Sequence, residues 1–221
     1  MTAAPTDSIL QIKIRLLNIS PMIWRRLLVP EDYTLHQLHG VIQVAMGWEG
    51  YHLFEFKIRA VDYTSPYLQG ASPDISLAQF HFRKNAKFIY AYDMGDYWQH
   101  EIRIEQRLSP EEDKHYPVCT GGSGSCPPED CGGPLGYLHR RDEASSYEAM
   151  KDLMTLADFI KEVVLDGNEA LWQDEDKRWE VDIALERSQE RQPYLNEKFS
   201  RREVNRAFRQ KAHEALMYQQ Y

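Results

Sequence analysis

The sequence predicts an α+β protein in which a mainly antiparallel sheet is followed by a helical C-terminal part. Runs of alternating apolar and polar residues, typical of half-buried strands, lie in the first half of the chain. Beyond Gly136 the apolar residues recur at helical spacing instead. Strands that come first and helices that come later favour the α+β class, with helices grouped on one face or end of the sheet.

A first hairpin and a helix open the fold. Apolar and polar residues alternate within residues 9–17, and residues 22–29 form a second extended run with β-branched and aromatic residues. Residues 18–21 supply the turn between them. Thr34 is placed as an N-cap and Gly47 as a C-terminal stop, so we expect the intervening helix to pack across the hairpin.

A third strand and a second hairpin follow. Side chains alternate in direction over residues 52–58, whereas residues 62–74 are rich in Ser, Pro, Tyr and Gly and are typical of an exposed loop. Residues 88–92 and 98–104 are strand candidates, joined by the turn residues 93–96. We therefore expect two hairpins plus a third strand, packed by the helix after the first hairpin.

The rest of the chain is first irregular and then helical. Residues 109–136 are dense in Pro, Gly, Ser and acidic residues and contain all three cysteines. An irregular stretch of this length is usually functional or held in place by something. Apolar spacing predicts helices over residues 147–156, 157–165 and 200–217, with a polar interval between the second and the third.

We expect one domain over residues 9–210, preceded by a disordered N-terminus at residues 1–8. Its parts are a sheet-rich half, a Cys/Pro/Gly loop and a helical half, at residues 9–108, 109–136 and 137–217. An apolar share of 43% in 221 residues is enough to build a core without disulfides.

Charge and cysteine content exclude several classes of protein. The 26 basic and 34 acidic residues give a net charge of −8, so the chain as a whole repels polyanions and anionic membranes. Three cysteines, an odd number, argue against a secreted disulfide framework. The first eight residues have neither a basic segment nor an apolar run, so we expect a soluble, cytoplasmic protein.

Four blocks of the sequence resemble the plasmid pRiA4b ORF-3-like family, in the same order and over roughly residues 9–210. The blocks are PMIWRRLLVP (21–30), TLHQLHGVIQVAMGW with YH (34–52), YAYDMGDYWQHEI (90–102) and YPVCTGGSGSCPPEDCGGPLGY (116–137). Residues 196–209 are also similar to the family's last helix. The resemblance implies an association with plasmids and mobile elements, but no established activity, because kinship is not mechanism.

The chain departs from the family pattern at two places. The family commonly has a second His shortly after the one that matches His52, where Phe54 or Phe56 stands here. This departure weakens a metal site made of a His pair in that strand. Between Cys119 and Cys126 a Gly/Ser run replaces the usual charged residues, which indicates that those charges are dispensable.

The three cysteines are the first candidate site. Cys119, Cys126 and Cys131 could hold zinc with His100 as the fourth ligand and His115 as its alternative, since structural zinc takes four N or S donors. Zinc would also keep the long loop ordered. The spacing lacks the paired two-residue intervals of strong zinc motifs, so three buried thiols or one disulfide explain these residues equally well.

Asp93, Asp96 and His100 are the second candidate site, that of a metal-dependent hydrolase or nuclease. Carboxylates with an imidazole bind divalent metals and transfer protons. However, His100 and Glu101 point to opposite faces of a strand, and both aspartates are ordinary turn residues.

A basic C-terminal helix is the third candidate. Residues 198–211 hold six basic residues and one acidic residue, a local charge of +5. Arg202, Arg206 and Arg209 share one face of the predicted helix. This face could bind phosphates in an accessory DNA-binding factor, bind an acidic protein surface, or stay solvated.

The sequence has no Gly-rich phosphate loop, nucleophile elbow, or recombinase or transposase motif. We therefore expect a non-enzymatic binding module for a protein or nucleic-acid partner, with zinc as the one candidate cofactor and no nucleotide cofactor. The hydrolase and the DNA-binding factor remain the alternatives.

Overall fold

The computed structural model describes residues 8–195 and 198–218. The chain forms two compact units: the first combines the described residues up to Pro134 with those from Lys198 onward, and the second contains those from Leu135 to residue 195. The predicted disordered N-terminus lies outside the described residues except for Ser8. The single domain over residues 9–210 stays a prediction.

Seven strands form one antiparallel sheet in the first unit, which confirms the predicted α+β class. The strands are β1 (Ile9–Leu16), β2 (Trp24–Pro30), β3 (Phe54–Ile58), β4 (Val61–Thr64), β5 (Lys87–Tyr92), β6 (Trp98–Leu108) and β7 (Val118–Ser123). Their order across the sheet is β4-β3-β5-β6-β1-β2-β7. Both predicted hairpins are present, as β1–β2 and β5–β6, and β1 pairs with β6 to join them.

The described residues also form six α-helices. They are α1 (Leu35–Met46), α2 (Gly133–Ala144), α3 (Tyr147–Ile160), α4 (Glu175–Arg191), α5 (Arg201–Arg209) and α6 (Ala212–Leu216). Helices α5 and α6 belong to the first unit together with α1, whereas α3 and α4 belong to the second. The helices beyond α1 thus lie in the C-terminal part, as predicted.

Helix α1 has the ends that the sequence predicts. Thr34 Oγ1 accepts a hydrogen bond from Gln37 N at 3.2 Å, and Gln37 Oε1 accepts one from Thr34 N at 2.8 Å. This reciprocal pair is a capping box. Gly47 ends the helix in the left-handed region with a φ of 95°. The helix packs on the sheet, where the His39 ring stacks on Phe54 with 4.0 Å between centroids.

The sheet has one buried and one open face. In β1, Ile12 and Ile14 are fully buried, whereas Lys13 and Arg15 on the opposite face are only half-buried. The same alternation continues in the strands on either side. The apolar face forms the core with α1, and the other face presents mostly charged side chains.

Arg25 ties the buried face of the sheet to the end of α1. Its Nε donates to the carbonyl oxygen of Ala45 at 2.8 Å, and its Nη1 donates to the carbonyl oxygens of Trp24 at 2.9 Å and Ser123 at 3.0 Å. The ring of Phe199 lies 4.2 Å from the guanidinium carbon. Because the last carbonyls of a helix carry partial negative charge, this buried cation is stabilised without a carboxylate.

Both edges of the sheet are covered over part of their length. At β7, Asn205 of α5 accepts from Cys119 N and donates to the Cys119 carbonyl oxygen, both at 2.8 Å. Its amide group therefore takes the place of a neighbouring strand. At β4, Ala71 accepts from Thr64 N at 3.0 Å and donates to the Asp62 carbonyl oxygen at 2.9 Å.

Several segments differ from the prediction. The predicted loop over residues 62–74 contains the end of β4, and the irregular stretch at 109–136 contains β7. Both are edge strands, whose stability comes from pairing rather than from apolar alternation. The polar interval contains α4, in which only Ala184 is buried. Helix α3 runs through the expected boundary at residue 156, and the predicted helix 200–217 breaks at Lys211, which has a φ of 59°.

Candidate metal centre

Three side chains from separate parts of the first unit meet at one end of the sheet. His52 precedes β3, Asp93 lies in the turn between β5 and β6, and Asp130 follows β7. His52 Nε2 lies 3.1 Å from Asp130 Oδ1 and 3.7 Å from Asp93 Oδ2. Among the described residues, this is the one set of three or more His, Cys, Asp or Glu side chains whose ligand atoms all lie within 4.8 Å of one another.

Asp93 is oriented by its own turn. The residue is buried and has a φ of 61°, a conformation that Asp tolerates better than most residues. Its Oδ1 accepts from Gly95 N at 2.9 Å and from Asp96 N at 3.3 Å. These bonds satisfy one carboxylate oxygen and leave Oδ2 facing His52, as expected of a metal ligand whose orientation is fixed by outer hydrogen bonds.

Asp130 is brought to the site by the residues just before it. Glu129 accepts hydrogen bonds from the Tyr92 hydroxyl and from Glu49 N, the second at 2.9 Å. Two residues before Glu129, the carbonyl oxygen of Pro127 accepts a hydrogen bond from Trp48 Nε1 at 2.9 Å. This segment is therefore fastened to the end of α1 and to β5, while the Asp130 side chain itself is 64% exposed.

His52 lies between the two carboxylates with a nitrogen available. Its ring contacts Tyr51 at 4.6 Å and Tyr92 at 5.7 Å between centroids, and 24% of its side chain is exposed. The Nε2 atom is buried, and neither neighbouring carboxylate is aligned with it as a hydrogen-bond partner. A buried, unpaired ring nitrogen beside two carboxylate oxygens fits a bound cation better than it fits a simple ion pair.

The surroundings of the site are strongly negative. Burial, followed by the charges of Glu129, Asp130 and Glu49, raises the pKa of Tyr51. Burial and the hydrogen bond to Glu129 raise the pKa of Tyr92 in the same way. Both phenols therefore stay protonated, and the carboxylates around them favour a divalent cation at the cluster.

One imidazole nitrogen and two carboxylate oxygens suit Zn²⁺, Mn²⁺ or Fe²⁺ rather than Ca²⁺ or Mg²⁺, which prefer oxygen ligands. Three protein ligands leave at least one coordination position for water or substrate, which is the arrangement of catalytic rather than structural sites. The partial exposure of His52 and Asp130 gives a ligand access to that position.

The predicted zinc ligands lie elsewhere in the first unit. Among the described residues, Cys119, Cys126 and Cys131 form no disulfide, and His115 is exposed. Within the described part of the chain, the ligand atoms of these residues and His100 do not gather within 4.8 Å. Burial raises the pKa of the Cys119 and Cys126 thiols, while the buried Arg25 cation beside them acts in the opposite direction. Because this resident cation opposes a second one, the geometry lends the zinc site no support, and the site stays a prediction.

The predicted hydrolase trio is not brought together either. Asp93 faces His52 and Asp130, and Asp96 instead accepts a hydrogen bond from Gly132 N at 3.1 Å. His100 is fully buried in the core, where burial lowers its pKa to about 3. The alternation of β6 turns His100 toward α1 and away from the end of the sheet. His52 and Asp130 were missed as ligands because each is an isolated residue whose neighbours in the site are remote in sequence.

The basic helix is partly as predicted. Arg202, Arg206 and Arg209 are exposed in α5, whereas Phe208 is buried and Asn205 bonds to β7. The helix is thus docked on the first unit with its arginines turned outward. The use of these three residues for nucleic acid stays a prediction.

The fold and this cluster define an α+β protein that carries a mixed imidazole and carboxylate centre at the end of an antiparallel sheet. No helix in the described ranges is long and apolar enough to cross a bilayer. The chain belongs to the family described as Plasmid pRiA4b ORF-3-like protein, whose profile matches residues 8–166. The family resemblance seen in the sequence is therefore confirmed.

The chain is similar to two further proteins. It is 40% identical over 136 residues to the uncharacterized protein y4hQ of Sinorhizobium fredii (strain NBRC 101917 / NGR234), and this match covers 59% of the chain and 70% of y4hQ. It is also similar to the crystal structure of the protein of unknown function MM3350 from Methanosarcina mazei Go1. That match has 34% identity and a TM-score of 0.59, and covers 66% of this chain and 86% of the other.

Proposed function

We propose that this protein binds one divalent transition-metal ion through His52, Asp93 and Asp130 and uses it to activate water for hydrolysis. The observation that carries the proposal is the convergence of His52 Nε2 with Asp130 Oδ1 at 3.1 Å and Asp93 Oδ2 at 3.7 Å. All three residues lie in the sequence blocks on which the family resemblance rests. A metal with an open coordination position lowers the pKa of bound water and so supplies hydroxide near neutral pH.

In this proposal some residues of the site are metal ligands and others position those ligands. His52 and the two aspartates hold the ion, while the turn around Asp93 and the segment containing Glu129 fix the positions of the carboxylates. The hydroxyl of Tyr51, whose ring contacts His52, can donate a hydrogen bond to a substrate oxygen. This proposal takes up the alternative of a metal-dependent hydrolase with a different set of ligands, and the non-enzymatic binding module stays a prediction.

Metal affinity tests the proposal directly. Protein freed of metal with chelator is titrated with Mn²⁺ and Zn²⁺ by calorimetry, and we expect one ion per chain. The variants His52→Ala, Asp93→Asn and Asp130→Asn should each bind at least about tenfold more weakly, since each removes a ligand or its charge.

Asp96→Asn is the matched control, because it removes the same charge from the same turn without removing a ligand, and an amide oxygen can still accept from Gly132 N. Wild-type affinity in all three ligand variants would overturn the metal site. For hydrolysis, metal-loaded wild type and Asp130→Asn are compared on chromogenic phosphodiesters and carboxylic esters. A metal that binds without any turnover of these substrates would contradict the catalytic half of the proposal alone.

A further inference from the structure

Four cations lie side by side across the open face of the sheet. Lys87 in β5 is directly opposite Arg103 in β6, Arg103 is opposite Lys13 in β1, and Lys13 is opposite Arg26 in β2. Directly opposed residues share a face, so the four side chains form one line, called here the cation row. Neighbouring strands are about 4.8 Å apart, so the row spans about 14 Å.

The cation row is accessible to solvent. The exposed fractions of the Lys87, Arg103 and Arg26 side chains are 50%, 44% and 36%. Beside the row, the sheet surface has a recess of about 230 Å³, lined by Lys13, Arg15, Met22, Lys87, Glu101 and Arg103. The row is therefore a surface that a ligand can reach, on the face opposite α1.

Nearby carboxylates neutralise the cation row only in part. Glu101 forms ion pairs with Lys87 at 2.9 Å and with Arg15, which is opposite it in β1, at 3.0 Å. Glu105 lies 2.6 Å from Arg26 and 3.8 Å from Arg103. The row and Arg15 together carry five positive charges against these two negative ones, an excess of three in a chain whose net charge is −8.

Lys13 is the cation with the weakest compensation. Among the described residues no carboxylate forms an ion pair with it, and its ammonium lies 4.8 Å from the centre of the Trp24 ring. Like charges directly opposite each other destabilise a sheet. A line of four cations with only two carboxylates beside it therefore favours an external anion on this face.

Trp24 adds an aromatic surface at the end of the cation row. It is the neighbour of Arg15 across β1 and β2, and its ring passes over β7 at Gly121, where a Cβ would lie 3.5 Å from the indole. A glycine at this position leaves the ring lying along the sheet. A flat aromatic group next to a line of cations is the combination that binds single strands, because bases stack on the ring while the cations contact phosphates.

We propose that this face binds single-stranded nucleic acid, with the backbone phosphates along the cation row and a base against Trp24. A duplex fits the surface less well, because its bases are stacked inside and its grooves accept a helix or a two-stranded ribbon rather than a broad sheet. The inference is independent of the metal centre, which lies at the end of the sheet.

Binding is measured by fluorescence anisotropy with a labelled 20-nucleotide thymidine strand, in EDTA so that no metal contributes. The double variant Lys13→Gln/Arg103→Gln should bind at least about tenfold more weakly, and the slope of log affinity against log salt should fall by about 1.4 for the two lost contacts. Trp24→Leu should bind at least about fivefold more weakly through lost stacking.

The control Lys57→Gln/Lys177→Gln removes the same charge from sites outside the cation row and should keep wild-type affinity. Equal affinity of the row variant and the wild type would overturn the proposal, as would weakening seen only in Arg202→Gln/Arg206→Gln/Arg209→Gln, which would place binding on α5. Tighter binding of duplex DNA or of polyglutamate than of the thymidine strand would likewise reject a single-stranded ligand. Circular dichroism establishes that each variant is folded.

Discussion

Arg25 and Arg26 are neighbours in β2, yet the sheet uses them in opposite ways. Arg25 is 2% exposed, and its guanidinium is stabilised by three carbonyl oxygens and the ring of Phe199. Arg26 is on the open face, where it shares Glu105 with Arg103 and belongs to the cation row. One position in a strand thus separates a cation that holds the fold together from a cation that is available to a ligand.

We expect the largest loss of stability from replacing the buried arginine, Arg25. Arg25→Ala removes the donor to three carbonyl oxygens, of which that of Ala45 is buried, and opens a cavity beside α1, so we expect a loss of about 3 kcal/mol in the free energy of unfolding. Arg26→Ala removes a part-exposed arginine from the Glu105 carboxylate, which keeps Gln11 and Arg103 beside it, and should lose about 1–2 kcal/mol. Urea unfolding followed by near-UV circular dichroism measures both, and equal losses would contradict the assigned roles.

A second expected effect concerns pH and the buried face. Burial lowers the pKa of His100 to about 3, below its ordinary value of 6.5, so the folded state resists protonation that the unfolded state accepts. The stability contributed by neutral His100 is fully present above pH 6.5 and is lost as pH falls from 6.5 toward 3. At pH 5 the loss should reach about 2 kcal/mol relative to pH 7.

His100→Phe should therefore flatten the dependence of unfolding free energy on pH between 7 and 5. Part of the slope will remain, because burial also lowers the pKa of His39. His139→Gln serves as the control, since 74% of the His139 side chain is exposed and its removal should leave the slope unchanged. Identical slopes in His100→Phe and the wild type would refute the role of His100.

We expect the smallest change in stability from replacing a lysine on the open face of the sheet. Lys13→Gln removes one of the two central charges of the cation row, so the free energy of unfolding should rise by about 0.2–1 kcal/mol. Lys57→Gln, on the same face, removes an ion pair with Glu55 at 3.0 Å and should lower stability slightly. Opposite signs for two lysine variants on one surface would be direct evidence that the cation row is kept at the expense of stability. A loss of stability in Lys13→Gln would count against it.

Much of this sheet follows from local sequence. The alternation in β1, β5 and β6 and the caps of α1 are set by residues adjacent in the chain, so both hairpins and the first helix were predicted. Strand β7 was not, because its sequence VCTGGS has no apolar alternation and its place depends on β2 and on Asn205. Helix α4 was missed because its charged residues are exposed nearly all round.

In the candidate site, too, local sequence indicates one residue, whereas the tertiary fold determines its partners. Asp93 was named in the sequence only as part of the alternative hydrolase site with Asp96 and His100, because acidic turn residues can be recognised locally. Its partners could not be predicted, because the return of the chain after β7 and the fastening of Glu129 to Tyr92 bring Asp130 to His52. The cation row was invisible for the same reason, since its four members come from four strands and only the register aligns them.

The covered edges of the sheet have a consequence for how the protein behaves in a crowded cell. A broad polar face is accessible, but Asn205 occupies the hydrogen-bonding groups of β7 at Cys119, and Ala71 occupies those of β4. At these positions an incoming strand therefore finds the backbone groups already paired. The molecule can offer a flat surface to a ligand while resisting the edge-to-edge polymerisation to which exposed sheets are prone.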